Sequence, residues 1–225
     1  IIHFASITPR SKHKNFALNP VISKNLLESI NNHRKIKKLI NISTIAIYNS
    51  VQKNKIVNEI TSNFSNDIYA LSKLKSEHIL KKANSSKIYN LRIPAVLVNK
   101  KSDNFISNLI NDIFKENKII LFNKDNKFNN ILSIDDLYKF INQLLLQNFP
   151  SGDILLGTSK PISIDAIINF IVHKYKKKAK VLWKSNNKGF HIKINKTISN
   201  YEYRPKDTIK TIEAYINKHF NKYVQ

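Results

Sequence analysis

The sequence of 225 residues contains no cysteine, no methionine and only three glycines. The lack of cysteine excludes disulfides and thiolate metal sites, and it is typical of a reducing compartment such as the cytoplasm. No apolar run approaches the ~18–20 residues that a membrane span needs, so no membrane association is expected. The first residues also lack the basic region and cleavage site of a signal peptide. The seven histidines are scattered without metal-ligand spacing, and no metal site is predicted.

The lack of methionine bears on whether the sequence is part of a longer protein. Residue 1 is an isoleucine that opens an apolar run typical of a buried strand. Natural domains rarely begin inside a strand, and we therefore expect these residues to be a fragment or a processed form of a longer protein.

Acidic residues are also scarce, with 15 Asp and Glu against 38 Lys and Arg, and the net charge is +23. A nucleic-acid partner is nevertheless not expected. Lysine is spread along every segment, while arginine, the preferred reader of guanine and phosphate, occurs only four times. The abundance of Lys, Asn and Ile is typical of an AT-rich genome. The charge still favours anionic substrates through the summed electrostatic field.

The pattern of apolar residues predicts an α/β fold. Short β-branched runs predict strands at 1–5, 38–43, 87–93 and 118–122. Periodic segments predict helices near 19–34, 68–83, 103–116, 135–147, 163–175 and 207–220. Asp67 and Ser163 suit helix N-caps, as does either Ser133 or Asp135. Strands that alternate with helices of this length indicate a parallel sheet.

Three residues form the strongest candidate site. Tyr69 and Lys73 are four apart on a predicted helix and share one face. A Tyr-x-x-x-Lys pattern alone is weak, because the chain has nine Tyr and 34 Lys. The order of features adds weight, since Thr44 ends a predicted buried strand 25 residues before Tyr69 (69 − 44 = 25). A hydroxyl, a phenol and an ammonium can then meet at the carboxyl end of a sheet, where open α/β folds bind ligands.

This arrangement resembles the extended short-chain dehydrogenase/reductase family, and more narrowly its NAD-dependent epimerase/dehydratase enzymes that act on nucleotide sugars. The resemblance covers nearly the whole chain, and the joint order of its motifs is more specific than any one of them. The matching segments are Ile1-Ile-His-Phe-Ala-Ser6, Asn19 with Asn25-Leu-Leu-Glu28, Ser43-Thr44, Asp67-x-Tyr-x-x-x-Lys-x-x-x-Glu77, Leu91-Arg-Ile-Pro94, Ile134-Asp-Asp-Leu137 and Tyr203-Arg-Pro205.

The resemblance implies a partial Rossmann-like parallel sheet with flanking helices, plus a smaller C-terminal α/β substrate domain. Residues 1–100 would be the C-terminal part of the NAD-binding domain, and residues 101–225 would mostly form the nucleotide-sugar domain. Residues 131–147 are expected to return to the main sheet. The implied cofactor is NAD, with NADP not excluded. A homodimer is compatible with the family, but the oligomeric state is left open.

The resemblance also implies roles for individual residues. Tyr69 would be the general base, Lys73 would stabilise its phenolate and hold the nicotinamide ribose, and Thr44 would orient the reacting sugar hydroxyl. A free phenol has a pKa of ~10, so the site with its oxidised nicotinamide has to stabilise phenolate by ~3 units. The implied cofactor contacts are Ala5, Ser6, Ile42, Ser43, Tyr69, Lys73 and Pro94. The implied substrate contacts are Thr44, Asn104, Phe105, Ile120 and Phe122.

Each of these residues also has an ordinary structural explanation. Tyr69 suits the start of a helix, Lys73 is one of many lysines, and Thr44 can simply end a strand. Asn104 with Phe105 suits a helix N-terminus with a core aromatic, and the run that holds Ile120 and Phe122 suits a plain core strand.

The chain departs from the family at several glycines. Its glycines are Gly152, Gly157 and Gly189, so the first half has no glycine-rich turn to hold pyrophosphate at a helix N-terminus. Glycines of the family are replaced by Asn49 and Glu202, and also near Val98 and at Ile22 or Ser23. An arginine that clamps a phosphate is replaced by Asn129, with Lys124 and Lys127 nearby. We therefore expect this chain alone to be inactive.

The leading functional interpretation is an NAD-dependent epimerase that acts at C4 of a UDP-hexose or UDP-N-acetylhexosamine in glycan synthesis. A dehydratase fits less well, because Ile45-Ala46 stand where dehydratases of the family have an acidic pair. A 4-keto reductase with the same three residues is an alternative. A degenerate, non-catalytic module that binds a nucleotide sugar is another, because the lost glycines raise the chance that activity is weak or absent.

Overall fold

The computed structural model describes residues 1–33, 35–49, 55–62, 65–84, 86–98, 103–185 and 189–220. The helices are α1 (Leu18–Asn32), α2 (Ile68–Leu80), α3 (Phe105–Phe114), α4 (Ile134–Leu146), α5 (Ile164–Tyr175), α6 (Asn195–Tyr201) and α7 (Thr208–His219). A 3-10 helix spans Ile45–Tyr48. The strands are β1 (Ile2–His3), β2 (Lys38–Thr44), β3 (Lys55–Val57), β4 (Lys87–Ile93), β5 (Ala95–Leu97), β6 (Lys118–Phe122), β7 (Lys127–Phe128), β8 (Ile131–Ser133), β9 (Gly152–Leu155), β10 (Ile162–Ser163), β11 (Lys180–Lys184) and β12 (Phe190–Ile192).

A parallel four-stranded sheet in the order β1-β2-β4-β9 is the frame of the molecule. The longest pairing joins β2 to β4 over seven residues, from Lys38 opposite Lys87 to Thr44 opposite Ile93. Both strands end at the same edge, because parallel strands in register share their direction. The predicted α/β class with a parallel sheet and flanking helices is therefore confirmed.

Apolar residues of the sheet point to both of its faces. Leu39 and Ile88 pack with Ile30 of α1 and Leu80 of α2 on one face. The neighbouring Ile40 and Tyr89 belong to a second cluster that includes Phe140 and Leu144 of α4. Helices on both faces explain why these strands are near-continuous apolar runs.

A further cluster forms the core of the C-terminal half. It gathers apolar residues of α3, β6, α5 and α7, including Ile110, Leu121, Ile168 and Ile212. The paired strands outside the main sheet are β3 with β12, β5 with β8 and β6 with β11, all parallel, and β7 with β10, antiparallel. The boundary predicted near residue 100 stays a prediction.

The six predicted helices and four predicted strands are all present near their predicted positions, and Asp67, Ser163 and Ser133 cap helices through their side chains. Most of the short strands and α6 were missed, as was β9, the fourth member of the main sheet. The first strand is shorter than the predicted 1–5 and pairs only over Ile2–His3. No helix within the described ranges is both long and apolar enough to span a bilayer.

The lost glycines have unequal consequences. Glu202 has φ of 51°, a left-handed conformation that favours glycine. Asn49 has φ of −62°, which any residue adopts without strain. Only the substitution at Glu202 therefore leaves strain in the backbone.

Two leucines of α4 test how this helix is attached to the sheet. Leu144 is fully buried in the core, whereas Leu146 on the same helix is 85% exposed. Leu144→Ala should lower the free energy of unfolding by about 2–5 kcal/mol, since it removes core contacts and leaves a cavity. Leu146→Ala should change it by less than about 0.5 kcal/mol. Chemical denaturation followed by circular dichroism measures both, and equal losses would show that α4 is not packed as described.

Candidate active site

The residues at the carboxyl ends of β1, β2 and β4 enclose a cavity of about 640 Å³. Pockets that bind small molecules and cofactors lie in the range of about 300–1,000 Å³. Its walls are formed by Phe4, Ser6, Thr8, Pro9, Arg10, Ile42, Ser43, Thr44, Ile45, Ala46, Asn49, Tyr69, Ile93, Pro94, Ala95, Val96 and Asn104. The cavity therefore occupies the edge of the sheet where α/β folds place their ligands.

Thr44 is fixed at this edge by its double role in the backbone. It is the last residue of β2 and the N-cap of the 3-10 helix, and its Oγ1 accepts a hydrogen bond from the amide of Ala46 at 3.1 Å. Burial raises the pKa of the Tyr69 phenol, and the Thr44 side chain opposes that increase, so the two side chains are near neighbours. The hydroxyl of Thr44 and the phenol of Tyr69 therefore meet at the cavity wall.

Tyr69 lies in the first turn of α2, which Asp67 caps by accepting from the amide of Ala70 at 3.0 Å. The ring of Phe16 packs against the Tyr69 ring with centroids 5.6 Å apart. Burial raises the pKa of Tyr69, the neighbouring Thr44 side chain lowers it, and the charge of Asp67 raises it, with a net increase. The groups of the protein alone therefore do not supply the stabilisation of phenolate that catalysis requires.

Lys73 lies one turn after Tyr69 and is only 2% exposed. Burial lowers the pKa of its ammonium to about 8, against an opposing increase from the charge of Glu77. Lys73 in turn adds to the effect of burial in lowering the pKa of His3 on β1. Its side chain does not line the cavity wall but lies behind it, between the sheet and α2.

A buried network of hydrogen bonds links the strands and the helix that carry these residues. The Ser43 hydroxyl donates to Glu77 Oε1 at 2.5 Å, and Arg92 Nη2 donates to Glu77 Oε2 at 2.7 Å. Arg92 also donates to the Tyr48 hydroxyl and to Asp153 Oδ2, both at 2.7 Å. Because Ser43 lies in β2, Glu77 in α2, Arg92 in β4 and Asp153 in β9, the network joins three strands to the helix that carries Tyr69.

The segment between β1 and α1 is tied to the same helix. The Asn19 side chain accepts from the amide of Ile7 at 2.6 Å and donates to its carbonyl and to Ser72 Oγ at 2.9 Å. Ser72 in turn donates to the carbonyl of Tyr69 at 2.7 Å. These bonds hold the loop that brings Thr8, Pro9 and Arg10 to the cavity wall.

A second cavity of about 310 Å³ adjoins the first and shares Asn49 with it. Its lining combines aromatic rings, amides and one cation, and it consists of Asn49, Phe105, Phe122, Asn123, Asn126, Lys127, Phe128, Asn130, Ile164, Gly189 and Phe190. The rings of Phe105 and Phe128 pack edge to face with centroids 5.7 Å apart. No Asp or Glu occurs among the described lining residues of either cavity, so both favour anionic or neutral ligands.

The structure thus collects most, but not all, of the predicted site residues. Ser6, Ile42, Ser43, Thr44, Tyr69, Pro94 and Asn104 line the first cavity, and Phe105 and Phe122 line the second. Ala5, Lys73 and Ile120 line neither cavity, and Ile120 lies on the same exposed face of β6 as Phe122. Asn104 also caps α3 by accepting from the amide of Ser107.

Asn129, Lys124 and Lys127, which the sequence analysis considered in place of a phosphate-binding arginine, have three different environments in the structure. The Asn129 side chain is buried and braces the backbone, donating to the carbonyls of Thr158 and Ile192 and accepting from the amide of Ile192. Lys124 lies 3.7 Å from Asp165. Lys127 is the cation that lines the second cavity.

Several wall and support residues were missed by the sequence analysis, including Arg10, Phe16, Asn49, Asn126, Phe128 and Phe190. Most of them lie in loops or very short strands without a periodic pattern. Arg92 could have been found, because a single arginine within the apolar run 87–93 indicates a buried cation that needs a carboxylate partner.

Comparison with known proteins agrees with this geometry. The model of the NAD dependent epimerase/dehydratase family matches residues 1–157. The chain belongs to this family. No curated protein shows significant sequence similarity to it.

Solved structures of two epimerases and of a further enzyme share the fold of this family member. The UDP-glucuronic acid 4-epimerase from Bacillus cereus in complex with NAD aligns with a TM-score of 0.78 at 23% identity, covering 99% of this chain and 75% of that one. The UDP-N-acetylglucosamine 4-epimerase from Bacillus cereus gives 0.74 at 20% identity, with 95% and 76% covered. The Bordetella bronchiseptica enzyme WbmG, in complex with NAD and UDP, gives 0.76 at 17% identity, with 96% and 71% covered.

Within this family member, no cluster of three or more potential metal ligands occurs among the residues that the structure describes.

The buried ammonium of Lys73 makes a prediction for stability against pH. Its pKa of about 8 in the folded protein lies below the ordinary value of 10.5. Below pH 8 the ammonium is charged in both the folded and the unfolded protein, so its burial lowers the free energy of unfolding by the full amount. This destabilisation is relieved between pH 8 and 10.5, where only the unfolded chain still holds the proton. Lys73→Met should accordingly raise the free energy of unfolding by about 1–3 kcal/mol at pH 7.

This advantage over the wild type should shrink as the pH rises from 8 toward 10.5. Denaturant unfolding of both proteins at several pH values measures it. A Lys73→Met protein that is less stable than the wild type at pH 7 would contradict the assignment of Lys73 as a buried, incompletely compensated charge.

Proposed function

We propose that the protein is an NAD-dependent nucleotide-sugar epimerase that inverts C4 of a UDP-hexose or UDP-N-acetylhexosamine. The observation that carries the proposal is that Thr44 and Tyr69 both line one cavity of about 640 Å³ at the carboxyl end of the sheet, with Lys73 one helical turn after Tyr69. A general base has to reach its proton directly or through one water, and both side chains present oxygen to the same space. The reaction belongs in the cytoplasm, where nucleotide sugars and reduced thiols coexist.

The residues of the first cavity fit the nicotinamide half of NAD. Apolar side chains of Ile42 and Pro94 offer surface for a ring, and Ser6 and Ser43 add polar groups at the ends of β1 and β2. The ammonium of Lys73, which is buried and does not line this cavity in the structure, would have to turn toward it to hold the ribose hydroxyls. Bound NAD supplies the hydride acceptor and a cationic ring, and the hydride chemistry belongs to it.

Tyr69 removes the proton from the C4 hydroxyl, and Thr44 orients that hydroxyl by hydrogen bonding. The phenolate needs a cation nearby, because burial raises the Tyr69 pKa in the protein alone. Lys73, which keeps its proton below pH 8, supplies part of that positive charge. Loss of the hydroxyl proton to Tyr69 and of the C4 hydrogen, as hydride, to bound NAD would give a 4-keto sugar intermediate. This intermediate would rotate in the site before the hydride returns to its other face.

The second cavity suits the nucleotide end of the substrate. Aromatic rings of Phe105, Phe122 and Phe128 can pack against a base, and several asparagines can bond its edge. Lys127 can bind a phosphate oxygen as a point charge, although it lacks the bidentate fork of an arginine. Ile120, on the outer face of β6, stays a weaker candidate contact.

The cavity walls favour an epimerase over a dehydratase. Elimination of water requires an acid and a base besides Tyr69, and the residues after Thr44 are the apolar Ile45 and Ala46. A 4-keto reductase would use the same three residues and is the second enzyme candidate. A non-catalytic module that binds nucleotide sugar would have the same second cavity without turnover.

The role of Tyr69 is tested by Tyr69→Phe in the intact gene product. The ring keeps its packing on Phe16 while the proton acceptor is lost, so turnover of the nucleotide sugar should fall by ~10²–10⁴. Binding of NAD and of the nucleotide sugar should stay within a few fold. Tyr138→Phe is the matched control, because Tyr138 is 65% exposed on α4 and should leave turnover unchanged.

Turnover above about a tenth of the wild-type rate in Tyr69→Phe would remove Tyr69 as the base. A wild-type protein that binds UDP-sugar but never converts it would favour the non-catalytic binding module over the enzyme.

The binding of NAD by residues 1–225 is expected to be weak. The sequence has no glycine before Gly152, and hence no early turn where the backbone approaches a pyrophosphate closely. Isothermal titration calorimetry should find a dissociation constant well above the micromolar range. Micromolar affinity would show that other groups bind the pyrophosphate.

A further inference from the structure

The Glu77 carboxylate lies behind the first cavity, and both of its oxygens accept hydrogen bonds. Its Oε1 accepts from Ser43 Oγ at 2.5 Å and from Arg92 Nε at 3.2 Å, and its Oε2 accepts from Arg92 Nη2 at 2.7 Å. The side chain is fully buried, and that of Arg92 is only 3% exposed. Carboxylates at such depth are rarely found without a fully bonded partner.

Each contact of Glu77 lies one step from a residue of the proposed reaction. Ser43 directly precedes Thr44 in β2, and Glu77 lies one helical turn after Lys73 and two turns after Tyr69 in α2. The Ser43–Glu77 hydrogen bond is therefore a direct side-chain link between the strand that carries Thr44 and the helix that carries the phenol and the ammonium. Arg92 extends the link to β4, whose end contributes Pro94 to the cavity.

We propose that Glu77 is a positioning residue, which fixes α2 against β2 so that the Thr44 hydroxyl and the Tyr69 phenol share one substrate oxygen. The inference rests on the proposed function, and it adds a residue that touches neither substrate nor cofactor. Misplacement of a reacting group by about 1 Å can cost ~10²-fold in rate, so a link of this kind controls turnover and not only folding.

Glu77 has a second effect, which is electrostatic. The titratable groups that interact with Lys73 are His3 on β1 and Glu77 one turn later on α2, and Tyr69 lies one turn earlier on the same helix. His3 is held neutral near pH 7, since burial and then Lys73 lower its pKa. The Glu77 charge raises the pKa of Lys73 against the larger effect of burial, which leaves it at about 8. Loss of this charge would let Lys73 lose its proton at lower pH.

The test compares Glu77→Gln with Asp153→Asn in the intact protein. Both variants remove one carboxylate that bonds Arg92 Nη2 at 2.7 Å, but Asp153 lies in β9 and has no contact with Ser43. Two properties are measured in each, namely the titration of Lys73 by NMR of ¹³C-labelled lysine, assigned with Lys73→Arg, and the pH profile of nucleotide-sugar turnover.

In Glu77→Gln, Lys73 should titrate at lower pH than in the wild type, and kcat at pH 7 should fall by about 10–100-fold with KM little changed. The acid limb of the pH profile should move to higher pH, because a neutral Lys73 no longer stabilises phenolate. Asp153→Asn should keep the wild-type titration of Lys73 and the wild-type pH profile. Equal behaviour of the two variants would overturn the proposal.

Ser43→Ala keeps the proposal testable if Glu77→Gln does not fold. It removes the Ser43–Glu77 bond and leaves the buried ion pair intact. Because Ser43 also lines the first cavity, the affinity for NAD is measured beside kcat and should stay unchanged. Ser43→Ala should lower kcat several-fold while Lys73 titrates as in the wild type, and an unchanged kcat would refute the positioning role. The NMR titration does not depend on turnover, so a wild type that converts no sugar would refute the proposed function while the Lys73 result still decides the electrostatic effect of Glu77.

Discussion

The buried ion pair between Glu77 and Arg92 is the interaction on which the rest of the site depends. It joins α2 to the centre of the parallel sheet, and Asp153 and Ser43 extend it to the neighbouring strands. Breaking such a pair by removing one partner costs about 3–5 kcal/mol, because the other charge is left buried. The main effect of the pair is on geometry, because it fixes elements whose ends carry residues of the cavity wall.

That geometry supports the proton transfer that we propose for Tyr69. Thr44 ends one strand, Tyr69 begins one helix, and the sheet register brings these two points together. Burial alone makes Tyr69 a weaker acid and Lys73 a weaker base. The two pKa shifts oppose the formation of phenolate. In the proposed reaction, the positive charge of a bound oxidised nicotinamide therefore has to add to that of Lys73 to stabilise the Tyr69 phenolate.

The sequence predicted the long elements well because their apolar patterns are set by burial on the sheet. It placed Thr44 and Tyr69 together because a strand end and a helix start at the carboxyl edge of a sheet have few other arrangements. It missed β9 and the two-residue strands, whose runs are too short for a period to appear. It also did not anticipate that Asn129 braces backbone carbonyls while Lys127 faces the cavity, since both depend on contacts across more than 25 positions of the chain.

The proposed hydride route is tested most directly by following the C4 hydrogen of a UDP-sugar in deuterated water. The intact protein, supplied with NAD, should interconvert the C4 epimers, and proton NMR should show that the C4 hydrogen is retained, because it travels as hydride on the cofactor and not as an exchangeable proton. Deuterium at C4 of the product would contradict the hydride route. Binding of the UDP-sugar without any interconversion would contradict the enzyme itself.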